Sequence, residues 1–241
     1  MFRKGIKRGE VPLRNYLPSP LVKRRGIKGE GLVNNNKGEE GDLTMLEERW
    51  ASPEDFATLF QYFWYRDFPM DQKGKGARPS DWTIHIGAAV HKVADLVGLY
   101  TRFETGKRKD AVIRTAEHDI IALEWEWDGV WGDELEKLKK HEPWAKNNLK
   151  KELLKYCVFI TYTHTPNIGK VNEHVLKEWE GAPWPLLLIL IDFEETKEFA
   201  SHREFKNIRL SVFHKGERKD IRSAPAFPWK VYGTRWSNEL K

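Results

Sequence analysis

The sequence predicts an α/β (α+β) fold in which a mixed central β-sheet is flanked by helices. Three observations point there. Apolar runs of strand length at residues 156–162 and 186–191 alternate with helical patterns at 133–155 and 171–179, and apolar strands bracketed by helices belong to a sheet covered on both faces. Across residues 100–127, three extended segments follow one another through short polar turns, as in an antiparallel meander. A chain of 241 residues is also long enough to bury one sizeable core.

Charge is segregated along this chain. Residues 1–37 hold ten Lys or Arg against Glu10 and Glu30, a net of +8, whereas the remainder carries −3 within an overall charge of +5. Residues 1–42 combine Gly, Pro, Asn and basic side chains and show no sustained period of 2 or 3.6. They read as a flexible basic arm, either one whose Lys23, Arg24 and Arg25 contact a polyanion or one that docks on a partner subunit. Residues 43–241 are then a single α/β domain. No run of about 18 apolar residues exists, and the basic start lacks an apolar h-region, so a soluble, cytoplasmic chain with no membrane partner is expected. The lone Cys157 rules out both a disulfide framework and a cysteine zinc site; it reads as a small buried thiol.

The elements follow in order. Residues 43–68 turn helical, with Ser52 as N-cap, Pro53 at the first position and Glu54 and Asp55 in the first turn. Phe56, Leu59, Phe60 and Phe63 form an aromatic-rich stripe, either a buried face or a base-stacking platform. A basic, Gly-containing loop at 70–79 leads to a second helix, opened by Ser80-Asp81 and running to about residue 99. His91 and Asp95 sit one turn apart at the margin of its packed side, as a mutual pair or as accessories to a site. Strands follow at 100–104, 108–113 and 120–127, then a basic helix at 133–155, a strand at 156–162, a helix at 171–179, a strand at 186–191 and a last strand at 208–213. The basic stretch 215–219 and the tail bearing Trp229, Tyr232 and Trp236 either clamp a nucleic-acid strand or pack against the sheet.

Chemistry concentrates in the meander. Strand periodicity puts Glu124 and Glu126 on one face of their segment and Trp125 and Trp127 on the other. If residues 114–119 connect antiparallel neighbours, Asp110 lies beside this pair and three carboxylates gather at one sheet edge. Such a cluster repels itself unless something positive sits in it, and a hard divalent cation, Mg2+ or Mn2+, answers that need.

A helix, three strands with an Asp on the second and Glu-x-Glu on the third, then a helix and another strand: this order resembles the PD-(D/E)XK nuclease superfamily, the restriction-endonuclease-like fold. The resemblance spans about residues 80–162, with an N-terminal helical extension and with additional strands and a tail at 163–241. It implies a Mg2+-dependent nuclease in which Asp110 and Glu124 hold the metal. Glu126 stands at the usual lysine position, as in the Glu-x-Glu variant of some type II restriction endonucleases, and would orient or deprotonate the attacking water. Lys109 stands where the motif has Pro. Asp110, Glu124 and Glu126 form the implied catalytic set, with Glu104, His91, Asp95 and Lys109 as accessory candidates and Lys107 and Arg108 as phosphate contacts. Nucleic acid is the expected partner, DNA ahead of RNA, and a homodimer would suit cutting of two strands. Two other classes stay open: a non-catalytic nucleic-acid-binding protein with a nuclease-like fold, and a structural or assembly protein with a basic docking arm.

Overall fold

A computed structural model of the chain describes residues 52–69, 79–105, 109–127, 132–141, 154–195 and 203–232. The expected arm at residues 1–42 lies outside the described residues. Four helices and seven strands are described: α1 (Pro53–Arg66), α2 (Pro79–Leu96), β1 (Tyr100–Thr105), β2 (Lys109–Arg114), β3 (Asp119–Glu126), α3 (Gly132–Lys139), β4 (Tyr156–His164), α4 (Ile168–Glu178), β5 (Leu186–Glu195), β6 (Arg203–His214) and β7 (Glu217–Pro225). The strands form one mixed sheet in sequence order, β1 to β7. β1, β2 and β3 are an antiparallel meander, β3, β4 and β5 run parallel, and β6 and β7 return antiparallel.

Local chemistry sets the helix ends. Ser52 Oγ accepts the Asp55 N–H at 3.1 Å, and Pro53 and the acids Glu54 and Asp55 fill the first turn of α1, satisfying one orphan amide and complementing the helix dipole. α2 stops in a Schellman arrangement: the Leu99 N–H donates to the Ala94 carbonyl at 2.9 Å and the Gly98 N–H to the Asp95 carbonyl at 3.1 Å. Gly98 adopts φ +74° there, a conformation that favours glycine. That turn ends the helix at Leu96, short of the residue 99 read from the pattern.

Period-2 alternation sorts the strand residues into two cores. On one face α1 and α2 cover Ala111, Ile113, Ile121, Leu123, Val158, Ile160, Leu187 and Ile189. On the other, Leu135 and Leu138 of α3 and Val171 and Val175 of α4 cover Ala122, Cys157, Phe159, Leu186, Leu188 and Leu190. β4 is buried over eight of its nine residues, as a central parallel strand covered on both sides must be. The aromatic stripe of α1 belongs to the first core: Phe60 and Trp64 are fully buried, and Trp64 Nε1–H donates to the Ala226 carbonyl at 2.9 Å. Trp229 stacks on Phe227 with ring centroids 4.8 Å apart. Cys157 is wholly buried, which pushes its thiol well above the usual range.

The sheet exceeds the sequence reading at its far edge. Residues 208–213 are the end of a twelve-residue strand, and β7 follows it through a two-residue turn, Lys215-Gly216, both with positive φ (51° and 77°). That is a type I′ hairpin turn. β7 begins Glu217-Arg218-Lys219-Asp220, all exposed, so an edge strand without an apolar alternation escaped the period-2 test. The described part of α3 ends at Lys139, and the remainder of the long helix read at 133–155 falls largely outside the described residues.

His85 is 4% exposed, with Nε2–H directed at the Trp64 carbonyl at 3.1 Å. Burial holds its imidazole down at about 4 against an ordinary 6.5. The unfolded chain therefore takes up a proton below about pH 6.5 that the folded chain refuses until about pH 4, and stability falls as pH falls through that window. Denaturant titrations are expected to show a loss on the order of 3 kcal/mol between pH 7 and pH 4 attributable to this group, with a shallower slope in His85→Gln; an identical pH slope in the variant would contradict it.

Candidate active site

The antiparallel ladder of β2 and β3 pairs Ala111 with Leu123, Val112 with Ala122 and Ile113 with Ile121. One step beyond Ala111–Leu123, the strands part. There the Asp110 carboxylate takes the place of a backbone partner, its Oδ2 accepting the Trp125 N–H at 2.7 Å. That bond fixes Asp110 beside Glu124, and the two carboxyl groups lie within hydrogen-bonding reach. On its other side β3 is held by β4, with Glu124 opposite Phe159 and Glu126 opposite Thr161.

Glu124 points to the face covered by α3. It is 1% exposed, and its Oε1 has no hydrogen-bond partner. Two further charged groups reach it from that helix, Glu134 (8% exposed) through a side-chain hydrogen bond and Lys137 through its charge. Lys137 Nζ in turn donates to Glu134 Oε2. Burial, reinforced by the neighbouring charges of Asp110 and Glu134, pushes the Glu124 carboxyl up to about 9. Asp110 is raised as well, chiefly by burial and against the Trp125 N–H and its contact with Glu124. Lys137 is partly buried, which works against its charge, yet the Glu134 hydrogen bond and the charges of Glu124 and Asp110 hold it above the usual lysine value. At neutral pH Glu124 thus keeps its proton, beside Asp110 and Glu134 and with the Lys137 ammonium at the edge.

The structure brings together two of the sequence-derived residues and adds two. Glu134 and Lys137 carry no site signal in the sequence: they belong to the basic helix expected at 133–155, and only the crossover of α3 over β3 sets them against Glu124. Glu126 shares the face of Glu124 but turns one carboxylate oxygen, Oε1, to the Trp127 N–H at 2.8 Å. Glu104 lies between the pairs Phe103–Ala111 and Thr105–Lys109, next to Asp110 across the ladder, but is exposed and has φ +51°. Lys109 is buried, at 1% exposure. His91 and Asp95 are exposed on α2, which covers the opposite face of the sheet. They do not join Asp110 and Glu124. Lys23, Arg24, Arg25, Lys107 and Arg108 lie outside the described residues.

Among the described residues, no three or more His, Cys, Asp or Glu side chains are grouped so as to hold a metal ion. Of the three expected ligands Asp110, Glu124 and Glu126, the first two adjoin each other, while Glu126 turns one oxygen to the Trp127 N–H. A hard-oxygen pair remains, Asp110 and Glu124, with the unpaired Oε1 of Glu124 as a buried acceptor and Glu134 behind it. Polar side chains continue along the same face at the carboxyl ends of the parallel strands: Thr161 and Thr163 of β4, fully buried with unpartnered hydroxyls, and Asp192 of β5. Carboxyl ends of parallel strands are where open α/β sheets bind ligands.

No family model, curated protein or solved structure matches this chain.

Glu124 keeps its proton to about pH 9 in the folded chain, while an unfolded glutamate releases it near 4.5, so stability falls as pH rises between those values. Glu124→Gln keeps the shape and removes the ionisation. It is expected to stabilise the chain by about 1–3 kcal/mol at pH 8 and by much less at pH 5, read from denaturant midpoints; equal destabilisation at both pH values would contradict this.

Proposed function

We propose that the chain is a divalent-metal-dependent nuclease that hydrolyses phosphodiester bonds in DNA, on a restriction-endonuclease-like core. The observation that carries the reading is the pairing of Asp110 with a buried, half-unsatisfied Glu124 where β2 and β3 part. Its context supports it: a helix (α2), an antiparallel meander with Asp on the second strand and Glu-x-Glu on the third, a crossover helix (α3), and β4 parallel to β3. This is the element order that the family resemblance implies.

Asp110 and Glu124 would hold the metal, with Glu134 adjoining; all offer hard carboxylate oxygens of the kind Mg2+ and Mn2+ take. A bound divalent cation supplies charge for the transferring phosphoryl oxygens and makes a bound water acidic. The protein's own contribution begins with pre-orientation. Asp110 is fixed by the Trp125 N–H and cannot swing away from the site. Glu124 must give up its proton to act as a ligand, and a cation is what makes the ionised form affordable in so buried a position. Lys137 keeps its ammonium at the edge of the carboxylates, where it can meet a substrate phosphate. Glu126, with one oxygen on Trp127 N–H, can orient a water with the other.

That no group of three ligands occurs among the described residues favours a second reading, a non-catalytic nucleic-acid-binding protein that keeps this fold. It calls for salt-sensitive DNA binding with no metal-dependent cleavage. The two separate on incubation with DNA and RNA substrates in Mg2+ or Mn2+. Wild type is expected to cleave, and Glu124→Ala and Asp110→Asn to lose at least about 100-fold in rate. Equal cleavage by all three proteins, or none on any substrate, would remove the nuclease reading.

A further inference from the structure

Among the described residues β1 and β7 are the two edges of the sheet, and the chain treats them differently. β7 opens with Glu217-Arg218-Lys219-Asp220, all exposed, and charges of this kind keep an edge from pairing with another chain. β1 presents aromatic rings instead: Tyr100 is 64% exposed and Phe103 45%. The helix packed along it, α2, adds Ile84 at 70% and Leu96 at 58% exposure. Phe103 rests beside Gly87 of that helix, where an added Cβ would meet the ring at 3.6 Å. Four of the six large hydrophobic side chains exposed among the described residues thus lie on this one border. Thr101, half-buried within the strand, has a hydroxyl with no hydrogen-bond partner.

The order of residues in β1 suits pairing with a second copy of itself. Two copies joined antiparallel at this edge are related by a two-fold axis perpendicular to the sheet. Residues directly opposite one another point to the same face, so the axis must pass through a residue and not between two. Thr101, Arg102 and Phe103 are the central choices. On Arg102 the axis would set two guanidinium groups opposite each other, a destabilising like-charge pair. On Phe103 it would draw Glu104 into the ladder, and Glu104 has φ +51°, far from the extended backbone a ladder takes. On Thr101 every opposed pair is complementary. Leu99 meets Phe103 on the α1/α2 face. Tyr100 meets Arg102 on the other, a cation beside an aromatic ring. The two Thr101 side chains meet at the axis as a threonine pair, which supplies the partner that the hydroxyl lacks in one chain.

We propose that β1 is a self-association edge at which two copies of this chain pair antiparallel about Thr101, joining their sheets into one. The dimer stands independently of the nuclease reading and bears on it through geometry. Asp110 lies opposite Glu104 on the neighbouring strand, and the two-fold keeps the Glu124 faces of both copies on the same side. The two Asp110 residues are then roughly 25 Å apart, at about 4.8 Å between strands and about 3.3 Å per residue along them. Sedimentation equilibrium of the full chain at micromolar concentrations is expected to give twice the 28.3 kDa of one chain. Phe103→Glu sets a carboxylate against Leu99 of the other copy and is expected to weaken association at least about tenfold. Tyr62→Glu, at a side chain 52% exposed on α1, is expected to leave it unchanged. Oxidation of Thr101→Cys is expected to give a disulfide-linked dimer, since residues opposed in an antiparallel pair have Cα atoms about 4.5–5.5 Å apart. Phe103→Cys, whose two copies lie about 13 Å apart along the strands, is expected to give none, and the native Cys157 is wholly buried. A monomer throughout the range, a dimer of unchanged affinity in a folded Phe103→Glu, or a cross-link through Phe103→Cys in place of Thr101→Cys overturns the proposal.

Discussion

Parallel pairing of β3 with β4 obliges the chain to cross back over the sheet between them, and the candidate site owes its composition to that crossing. An antiparallel neighbour could have been reached by a tight turn. The parallel one needs a connection long enough to return to the strand's start, and here the crossing carries α3 over the face that bears Glu124. Leu135 and Leu138 anchor the helix in the core beneath it. The helical spacing then puts Glu134 and Lys137 on the side that meets β3. Without the crossover, Glu124 would be a half-exposed strand glutamate with an ordinary affinity for its proton. With it, the carboxyl is buried among other charges and becomes protonated at neutral pH.

A second constraint operates from the other side. Where the β2–β3 ladder ends, the Asp110 side chain substitutes for the missing backbone acceptor of Trp125. The same hydrogen bond that stops the strand edge from fraying also aims the second carboxylate at Glu124. Structure and site thus share one interaction, and the cost falls on solvation: two carboxyl groups are kept largely out of water without a dedicated counter-ion between them, only Lys137 at their margin. Buried groups that remain only partly satisfied are unusual in cores. The unpaired Glu124 Oε1, together with the Thr161 and Thr163 hydroxyls, marks this end of the parallel strands as a place shaped for something besides packing.

Much of this was legible in the sequence because strand periodicity is local. The alternation in Glu124-Trp125-Glu126-Trp127 assigned faces correctly, with Trp125 and Trp127 packed against the core on the α1/α2 side, and the short 114–119 connection implied the antiparallel partner that brings Asp110 alongside. What remained hidden depends on contacts between elements distant in the fold. Lys137 looks like any solvated lysine until α3 is laid across β3. His91 and Asp95 share a helix stripe, but their helix covers the wrong face for the carboxylates. β7 carries no apolar alternation because an edge strand needs none, and its type I′ turn is written Lys-Gly rather than the more telling Asn-Gly or Asp-Gly. Protonation of Glu124 could not be read at all, since it arises from burial and not from spacing.

The central claim, that Asp110 and Glu124 are a divalent-cation site closed by a proton in its resting state, is tested most directly by calorimetric Mn2+ titration at pH 7 in buffers of different ionisation enthalpy. Saturable binding with release of about one proton per ion is expected, with both the binding and the proton release lost in Asp110→Asn and Glu124→Gln. Absence of saturable binding in the wild type, or binding of equal affinity in the two variants, would contradict the account.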